Sequence, residues 1–405
     1  MIKRLLLIAV ICLPLAGLAQ DWETAGVSDI FDSVLQDPSG LASDTDPEFE
    51  LDEVLAINLS ATGLAAAKLL GLSLLDTVPL PGLGFSLARL RLPNILNPGK
   101  LLAALIKADP GGEYGANAVY RLSGSPASQG AACEGLRCYG QQLVGWPPLG
   151  CPVKVAIGLL DSAIDNQNPA LQGRSLHSLR LSPTPVSPRE SAHGTAVAAQ
   201  LIGNAAAGFA GLLPEATLYA ADVFSLDAQG QPFTNALQLA QGLDWLARQP
   251  LKTINISLSG PDSPVLHKAV QALVAKGVAI AAASGNAGPK APPQYPAAYA
   301  EVLAVTAVDR QLQPYARASP GGYVRLAAPG VGIWTASSGG AGEFRDGTSF
   351  ATPYVTAALA LGSLKAALPP PAQRIATLAN RSRDLGAKGV DPVYGVGLLQ
   401  VAGCP

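Results

Sequence analysis

The sequence predicts an α/β protein, with a three-layer αβα domain on a mostly parallel sheet preceded by a small ferredoxin-like α+β domain. From residue 151 onward, apolar strand-like runs alternate with helical runs, which is typical of a parallel sheet buried on both faces. Residues 51–122 follow the order β-α-β-β-α-β, which is the ferredoxin-like order. A chain of 405 residues is long enough for one large domain and one small one.

Residues 1–19 have the form of a secretory signal peptide. Two basic residues precede an apolar run at 5–19, and small residues stand one and three positions before Gln20. A membrane anchor is the alternative, but the run is short and Pro14 interrupts it. We therefore expect export to the periplasm or the extracellular space, with no stable membrane anchor once the signal is removed.

Residues 20–50 are predicted to form an acidic, disordered segment. Nine Asp or Glu residues and no Lys or Arg occur between 21 and 50, with few apolar residues among them. Such a segment cannot bury enough apolar surface to offset the entropy of folding.

Residues 51–122 are predicted to be a separate small domain. Its predicted elements are strand 53–60, helix 61–71, a strand within 72–84, strand 85–92, a helix beginning at Asn97 and Pro98, and strand 113–122. Residues 123–150 are predicted to be a connector and the start of the next domain, because Ser, Gly, Pro and Ala dominate the first third.

The large domain is predicted to span residues 151–405. Its predicted strands are 153–160, 216–224, 253–260, 278–284, 301–308, 323–330 and 395–401, and its predicted helices are 193–203, 233–249, 263–276, the run after Ser349 and a run near 371–383. In such a sheet, residues that carry chemistry belong at the carboxyl ends of the strands.

A serine stands where the apolar helix after Gly347 begins. The run 347–353 reads GTSFATP, so Ser349 falls in or beside the first turn, where unpaired N–H groups are available. A serine there can act as a nucleophile whose own N–H faces a developing oxyanion, although most serines before an apolar run are helix caps. Pro353 is expected in the first turn, where the N–H that it lacks would be unpaired anyway.

Three further residues decide between these interpretations. Asp161 ends a buried strand, His193 opens the run HGTAVA, and Asn286 lies in the turn SGNAG after another buried strand. Each alone has an ordinary structural explanation as a cap or turn residue. Together with Ser349 they provide a carboxylate, a base, an oxyanion donor and a nucleophile, and this combination favours nucleophilic catalysis.

At these motifs the sequence resembles the subtilisin-like serine peptidases (subtilases, peptidase S8 family) over roughly residues 151–405. The resemblance implies an exported serine endopeptidase that uses an Asp161–His193–Ser349 triad and an acyl-enzyme intermediate, with Asn286 in the oxyanion hole. It also implies that residues 51–122 are an inhibitory propeptide, which self-processing removes so that the mature enzyme begins between about residues 121 and 133. One departure is Ala163, where the family usually has Gly.

The resemblance extends to the substrate-binding edge at residues 255–260. Ser257, Leu258 and Gly260 match the family's motif, whereas Ser259 stands where Gly is more common. Gln294 aligns with the residue at the base of the first specificity pocket. Because Ser259 narrows the rim and no carboxylate is in place, we expect small-to-medium uncharged residues before the cut.

Four cysteines remain after signal removal, and an even count in an exported chain suggests two disulfides with three pairings open. Cys133 and Cys138 are close enough in sequence to close a local loop, and Cys151 and Cys404 flank the large domain. We therefore favour Cys133–Cys138 and Cys151–Cys404. A zinc site is disfavoured, because no remaining histidine has a ligand-like spacing from them.

No metal-ligand set is visible, and the triad chemistry needs no cofactor. Members of the family often bind structural calcium through scattered carboxylates and carbonyls, a pattern too diffuse to be read from this sequence. The formal net charge of −2 argues against a nucleic-acid partner. The expected partners are protein or peptide substrates and the chain's own propeptide, and we expect a monomer.

Two other functions remain open on the sequence. A peptide-binding protein could keep the fold without catalysis, but no triad residue is missing. An esterase could use the same triad, but the peptide-binding edge and the expected propeptide argue against it.

Overall fold

The computed structural model describes residues 49–93, 98–122, 125–126, 139–182, 187–227, 230–337, 339–364 and 370–404. The predicted signal peptide, nearly all of the predicted acidic segment and the Cys133–Cys138 disulfide lie outside these residues. The first strand begins at Phe49, two residues before the predicted domain boundary, because Phe49 already pairs with Ala118 of a neighbouring strand.

The small domain has the predicted β-α-β-β-α-β order. Its elements are β1 (Phe49–Ile57), α1 (Ala61–Leu69), β2 (Ser73–Leu80), β3 (Phe85–Arg91), α2 (Pro98–Ala108) and β4 (Glu113–Leu122). All strand pairs are antiparallel, and the order across the sheet is β2-β3-β1-β4, as in ferredoxin-like domains.

The large domain is an alternation of strands and helices after two short elements, β5 (Ser125–Pro126) and α3 (Tyr139–Leu143). The others are β6 (Ala156–Asp161), β7 (Ser175–Arg180), α4 (Pro188–Ile202), β8 (Thr217–Asp222), β9 (Ser225–Leu226), β10 (Pro232–Asn235), α5 (Ala236–Ala247), β11 (Thr253–Ile256), β12 (Leu258–Ser259), α6 (Pro264–Ala275), β13 (Ala279–Ala283), β14 (Leu303–Val308), β15 (Val324–Pro329), β16 (Ile333–Ala336), β17 (Gly342–Asp346), α7 (Thr348–Gly362) and α8 (Pro371–Ala379).

Seven parallel strands form the central sheet, in the order β15-β14-β13-β11-β6-β8-β7. Helices α4 and α7 cover one face and α5 and α6 the other, so neighbouring residues of β6 enter different cores. Leu159 packs in the α4–α7 core and Leu160 in the α5–α6 core. The predicted three-layer αβα domain is confirmed.

The cores explain where the small domain sits. Leu55, Leu87 and Tyr120 of its sheet are fully buried in the same cluster as residues of α5 and α6. Strand β4 also pairs with β10 and β12 of the large domain. In the large domain, the structure joins Cys151 to Cys404, with Cα atoms 5.4 Å apart, in the pairing that the sequence favours.

Two predicted boundaries near the site are wrong. Helix α4 begins at Pro188 rather than at His193, because Ser187 and Glu190 form a reciprocal capping box and Pro188 suits the first turn. Helix α7 begins at Thr348, so Pro353 lies inside the helix rather than in its first turn.

The strand predicted at 395–401 is absent from the described residues. Leu398 makes only isolated bridges to Ala327 and Arg383, because Gly395 and Gly397 turn the chain with positive φ angles of 64° and 111°. Conversely, β7, β16 and β17 have no predicted counterpart.

Candidate active site

Asp161 is the last residue of β6, in the middle of the parallel sheet. Its Oδ1 accepts hydrogen bonds from the Ser162 main-chain N–H and from His193 Nδ1, both at 2.7 Å. Because Nδ1 faces a carboxylate, it carries the proton of the neutral imidazole, and Nε2 is left as an acceptor.

His193 lies in the second turn of α4 and is buried. The next residue, Gly194, donates its N–H to Ser162 Oγ at 3.0 Å, which fixes α4 to the loop that follows Asp161. On its other side the His193 ring lies 5.4 Å from the ring of Phe350, the residue after Ser349. Nε2 is buried and has no hydrogen-bond partner in the part of the chain that the structure describes.

Ser349 is the second residue of α7, as the sequence predicts. The helix can begin here because Gly347 adopts φ 145°, a value that residues with a side chain avoid. The Ser349 hydroxyl donates to the main-chain oxygen of Ser257 at 3.1 Å. Ser349 therefore combines a hydroxyl beside the strand edge with an N–H at the positive end of a helix.

Asn286 follows β13, and its two side-chain atoms face different surroundings. Oδ1 accepts from the main-chain N–H of Thr348 at 3.1 Å and from the Thr348 hydroxyl at 3.0 Å. Nδ2 is buried, and among the described residues it has no acceptor. Thr348 thus holds the amide so that its N–H₂ is available, a role that the sequence analysis did not assign to it.

A cluster of charged residues adjoins Asp161 at the carboxyl ends of the strands. The parallel register sets Arg180, Asp222 and Asp161 side by side at the ends of β7, β8 and β6. Arg180 pairs with Asp222 at 2.8 Å and with Glu190 of α4 at 3.5 Å. Burial raises the pKa of Asp222 to about 6, although Arg180 acts in the opposite direction.

The predicted substrate-binding edge is occupied by strand β4. Leu258 pairs with Leu122 and Ser259 with Arg121 in antiparallel register. Gly260 has no room for a side chain, because a Cβ there would come within 2.3 Å of the Tyr120 ring.

Ser257 differs from the other residues of this edge. Its side chain is fully buried and points toward α7, where its hydroxyl donates to the main-chain oxygen of Ser349 at 3.1 Å. The Ser257 main chain thus belongs to the edge, whereas its side chain belongs to the support of Ser349.

Gln294, the predicted base of the first pocket, packs beside Gly285, the residue before Asn286. A Cβ on Gly285, the neighbour of Asn286, would come within 2.6 Å of Gln294 Cγ and 3.2 Å of Ser319 Oγ. The Gln294 amide is held away by donating to the Pro292 carbonyl at 2.9 Å. The space beside Gly285 is therefore partly filled by an uncharged side chain.

Ala163, which stands where the family usually has glycine, has an unstrained backbone. Within the described ranges, only Asn58 and Leu312 combine a side chain with a positive φ. The turn after Asp161 therefore does not need the glycine that the family usually has there.

Two observations concern metals and membranes. The described residues contain no group of three or more His, Cys, Asp or Glu side chains that could hold a metal ion. None of the helices in those same residues has the length and apolar character needed to cross a membrane.

Comparison with known proteins places this geometry in a family. Residues 153–397 match the model of the Subtilase family. Subtilisin E from Bacillus subtilis (strain 168) is 36% identical over 217 residues, which cover 52% of this chain and 55% of that protein. The chain therefore spans about half the length of this relative. Subtilisin BL from Lederbergia lenta is 34% identical over 252 residues, which cover 62% of this chain and 89% of that protein.

A solved structure extends the likeness to most of the chain. The crystal structure of fervidolysin from Fervidobacterium pennivorans, a keratinolytic enzyme related to subtilisin, matches with a TM-score of 0.71. The match covers 88% of this chain and 61% of fervidolysin at 19% identity, and at that identity it concerns the fold alone. Since the family model spans more than half of the chain and nearly all of the large domain, the chain belongs to the subtilase family.

Proposed function

We propose that the large domain is a serine endopeptidase in which Ser349 is the nucleophile, His193 the general base and Asp161 the orienting carboxylate. One observation carries this proposal. His193 Nε2 and Asn286 Nδ2 are buried next to residues adjoining Ser349, and neither has a partner in the described residues. Buried polar atoms are ordinarily paired. In the proposed reaction, the oxyanion of the substrate is the acceptor for Asn286 Nδ2, and His193 Nε2 receives the Ser349 proton and passes it to the leaving amine.

The proposed reaction requires the Ser349 hydroxyl, which donates to the Ser257 carbonyl in the structure, to turn toward His193 Nε2. The Ser349 hydroxyl gives its proton to His193 Nε2 as Oγ bonds to the carbonyl carbon of the peptide, and Asp161 stabilises the resulting imidazolium. The oxyanion accepts hydrogen bonds from Asn286 Nδ2 and from the Ser349 N–H. Collapse expels the amine with the proton from His193 and leaves an acyl-enzyme. A water molecule then hydrolyses the ester by the same proton transfers.

We propose further that residues 51–122 are an inhibitory propeptide, which the enzyme removes by cutting its own chain. Strand β4 runs along β12 up to Leu122, and β5 begins along β17 with Ser125 opposite Asp346. Asp346 precedes Ser349 by three residues. The two pairings support a path in which the chain enters the cleft on one side of Ser349 and leaves on the other.

We assign the cut to the bond between Ser123 and Gly124, inside the range of 121–133 expected from the sequence. The pairing along β12 reaches Leu122 opposite Leu258, the neighbour of Ser257, whose carbonyl contacts the Ser349 hydroxyl. On the other side of the proposed cut, Ser125 pairs with Asp346 of β17. The tether gives the segment a high effective concentration, and the cut removes that advantage.

The same register indicates which substrate residues the enzyme prefers before the cut. Tyr120 is the fourth residue before the proposed cut and is fully buried against Gly260, so this pocket suits an aromatic ring. Gln294 partly fills the first pocket, which suits a small uncharged residue such as Ser123. We propose that substrates carry an aromatic residue four positions before the cut and a small residue directly before it.

Expression of the precursor tests the proposal. The wild-type protein should yield a mature chain with Gly124 at its N-terminus, whereas Ser349→Ala and His193→Ala should remain uncut when purified away from other proteases. N-terminal sequencing of each product decides the outcome. Cutting of Ser349→Ala at the wild-type rate would refute the nucleophile. A wild-type protein that stays uncut yet hydrolyses peptides would refute the propeptide.

We propose that the mature enzyme acts as a monomer on proteins and peptides, outside the cytoplasm, with no cofactor in the chemical step and no nucleic-acid partner. The Cys151–Cys404 disulfide supports an oxidising compartment such as the periplasm or the extracellular medium. Cell fractionation and size-exclusion chromatography are the checks. A mature enzyme retained in the cytosol, or eluting as a dimer, would contradict this assignment.

A further inference from the structure

We infer that a chain of three buried hydrogen bonds, running from Thr356 through Asn255 and Ser257, holds the main chain of Ser349 in place. The inference rests on the proposed role of Ser349 as the nucleophile. The Thr356 hydroxyl donates to Asn255 Oδ1 at 2.9 Å, and the Asn255 amide donates to Ser257 Oγ at 2.8 Å. The Ser257 hydroxyl then donates to the Ser349 main-chain oxygen at 3.1 Å. All four residues are fully buried.

The Ser349 carbonyl depends on this donor because of Pro353. In an α-helix, each carbonyl accepts the N–H of the residue four positions later, and Pro353 has no N–H to give to Ser349. The Ser257 hydroxyl takes the place of the missing N–H. A buried carbonyl that loses a hydrogen-bond donor is destabilised, so removal of the Ser257 hydroxyl would force the first turns of α7 to adjust.

The direction of every bond in the chain is determined by chemistry. The Asn255 oxygen accepts from Thr356, so its N–H₂ faces Ser257. Because Ser257 Oγ accepts that bond, its own proton is available for the Ser349 carbonyl. Bonds arranged in this way polarise one another, and a change at Thr356 is felt at Ser349, two helical turns away.

Ser257 holds Ser349 at two points. Its hydroxyl donates to the Ser349 carbonyl, and its own carbonyl accepts the Ser349 hydroxyl, both at 3.1 Å. Small displacements of a reacting group lower the rate of an enzymatic step substantially. Thr356, Asn255 and Ser257 are therefore positioning residues, since their side chains act through Ser349 rather than on substrate.

Two variants of Thr356 separate positioning from packing. Thr356→Val keeps the side-chain volume and removes the hydroxyl, whereas Thr356→Ser keeps the hydroxyl and removes a methyl group. We expect kcat of the Val variant to fall by about 3- to 10-fold with KM unchanged, and kcat of the Ser variant to stay within about 2-fold of wild type. The rate at which a fluorophosphonate modifies Ser349 should fall by the same factor as kcat. A role in packing alone predicts the opposite order, and finding it would overturn the inference.

Thr352 provides a matched control on the same helix. It is also a fully buried threonine, but its hydroxyl donates to the Thr348 carbonyl within α7 at 2.8 Å rather than to Asn255 or Ser257. Thr352→Val should retain kcat within about 2-fold, and a loss equal to that of Thr356→Val would overturn the inference. Wild-type protein that does not react at Ser349 would refute the proposed nucleophile. Equal reaction of wild type and both Thr356 variants would refute only the positioning chain.

Discussion

Replacing Asn286 separates two roles that one side chain combines. Its oxygen accepts the main-chain N–H and the hydroxyl of Thr348 at 3.1 and 3.0 Å, whereas its N–H₂ has no acceptor among the described residues. Asn286→Asp keeps an acceptor of the same shape for Thr348 and removes the donor. Asn286→Ala removes both, so the two variants together distinguish catalysis from structural support.

The expected size of the effect follows from these contacts. A side-chain donor to an oxyanion contributes about 10²–10³ in kcat, a range measured in subtilisin itself. Because the bond forms in the transition state, we expect Asn286→Ala to lose this factor in kcat and Asn286→Asp to lose at least as much, since its carboxylate also repels the oxyanion; KM should change less than about threefold in both. Asn286→Ala should also lower the free energy of unfolding by about 1–3 kcal/mol, because two buried donors of Thr348 lose their acceptor.

We measure kcat and KM from initial rates of the mature variants on a peptide that carries a serine directly before the cut and a tyrosine three residues before that serine. The precursor variants can be cut by tagged wild-type enzyme, which is then removed. Urea unfolding in the Ser349→Ala background gives the stability. Thr348→Val is the control, since it removes one of the two bonds that hold the amide and should lower kcat by about tenfold at most. Full turnover by Asn286→Asp, or a loss confined to KM, would refute the assignment.

Three further predictions concern specificity, stability and pH. Gln294→Gly should open the first pocket and raise kcat/KM for aromatic residues before the cut, and a peptide library with an unchanged profile would contradict this. Removing the Cys151–Cys404 disulfide by a double change to Ala should lower the free energy of unfolding by up to about 5 kcal/mol, because the bond closes a loop of 253 residues; an unchanged urea midpoint would exclude it. The raised pKa of Asp222 means that the folded state binds the proton more tightly than the unfolded chain, so the free energy of unfolding falls as pH rises from about 4 to about 6. Asp222→Asn should flatten that slope, and an identical pH dependence would show that another group is responsible.

Local patterns were sufficient to predict most of the strands and helices, and to place Asp161, Asn286 and Ser349 at or just beyond the ends of such elements. Asp161 ends a run of apolar residues that the sheet buries on both faces, and Ser349 follows a glycine whose φ of 145° few other residues tolerate. Both features depend on neighbours in sequence, which is why they could be read without a structure.

The start of the histidine helix carries a local sequence signal upstream of the predicted boundary at His193. Residues 187–190 spell Ser-Pro-Arg-Glu, a capping box with proline in the first turn, and the helix begins there. The missed strands β7 and β17 are short and polar, and partners that are distant in sequence stabilise them. Their own residues carry little signal.

The support of Ser349 could not be predicted, because it depends on contacts between distant elements. Asn255 and Ser257 lie on or beside a strand about 100 residues before Thr356, and only the packing of α7 against β11 brings their side chains together. In the first turn, where the sequence predicts it, Pro353 would remove no helical hydrogen bond. Its position inside the helix is what makes the Ser257 hydroxyl necessary.

The most direct measurement of the central claim is covalent modification of the mature enzyme by a fluorophosphonate, followed by peptide mass spectrometry. We predict a single modified residue, Ser349, with modification abolished in Ser349→Ala and slowed by several orders of magnitude in His193→Ala. Modification at a different serine, or reaction of Ser349 at the same rate without His193, would contradict the proposal that these residues form a nucleophile and its base.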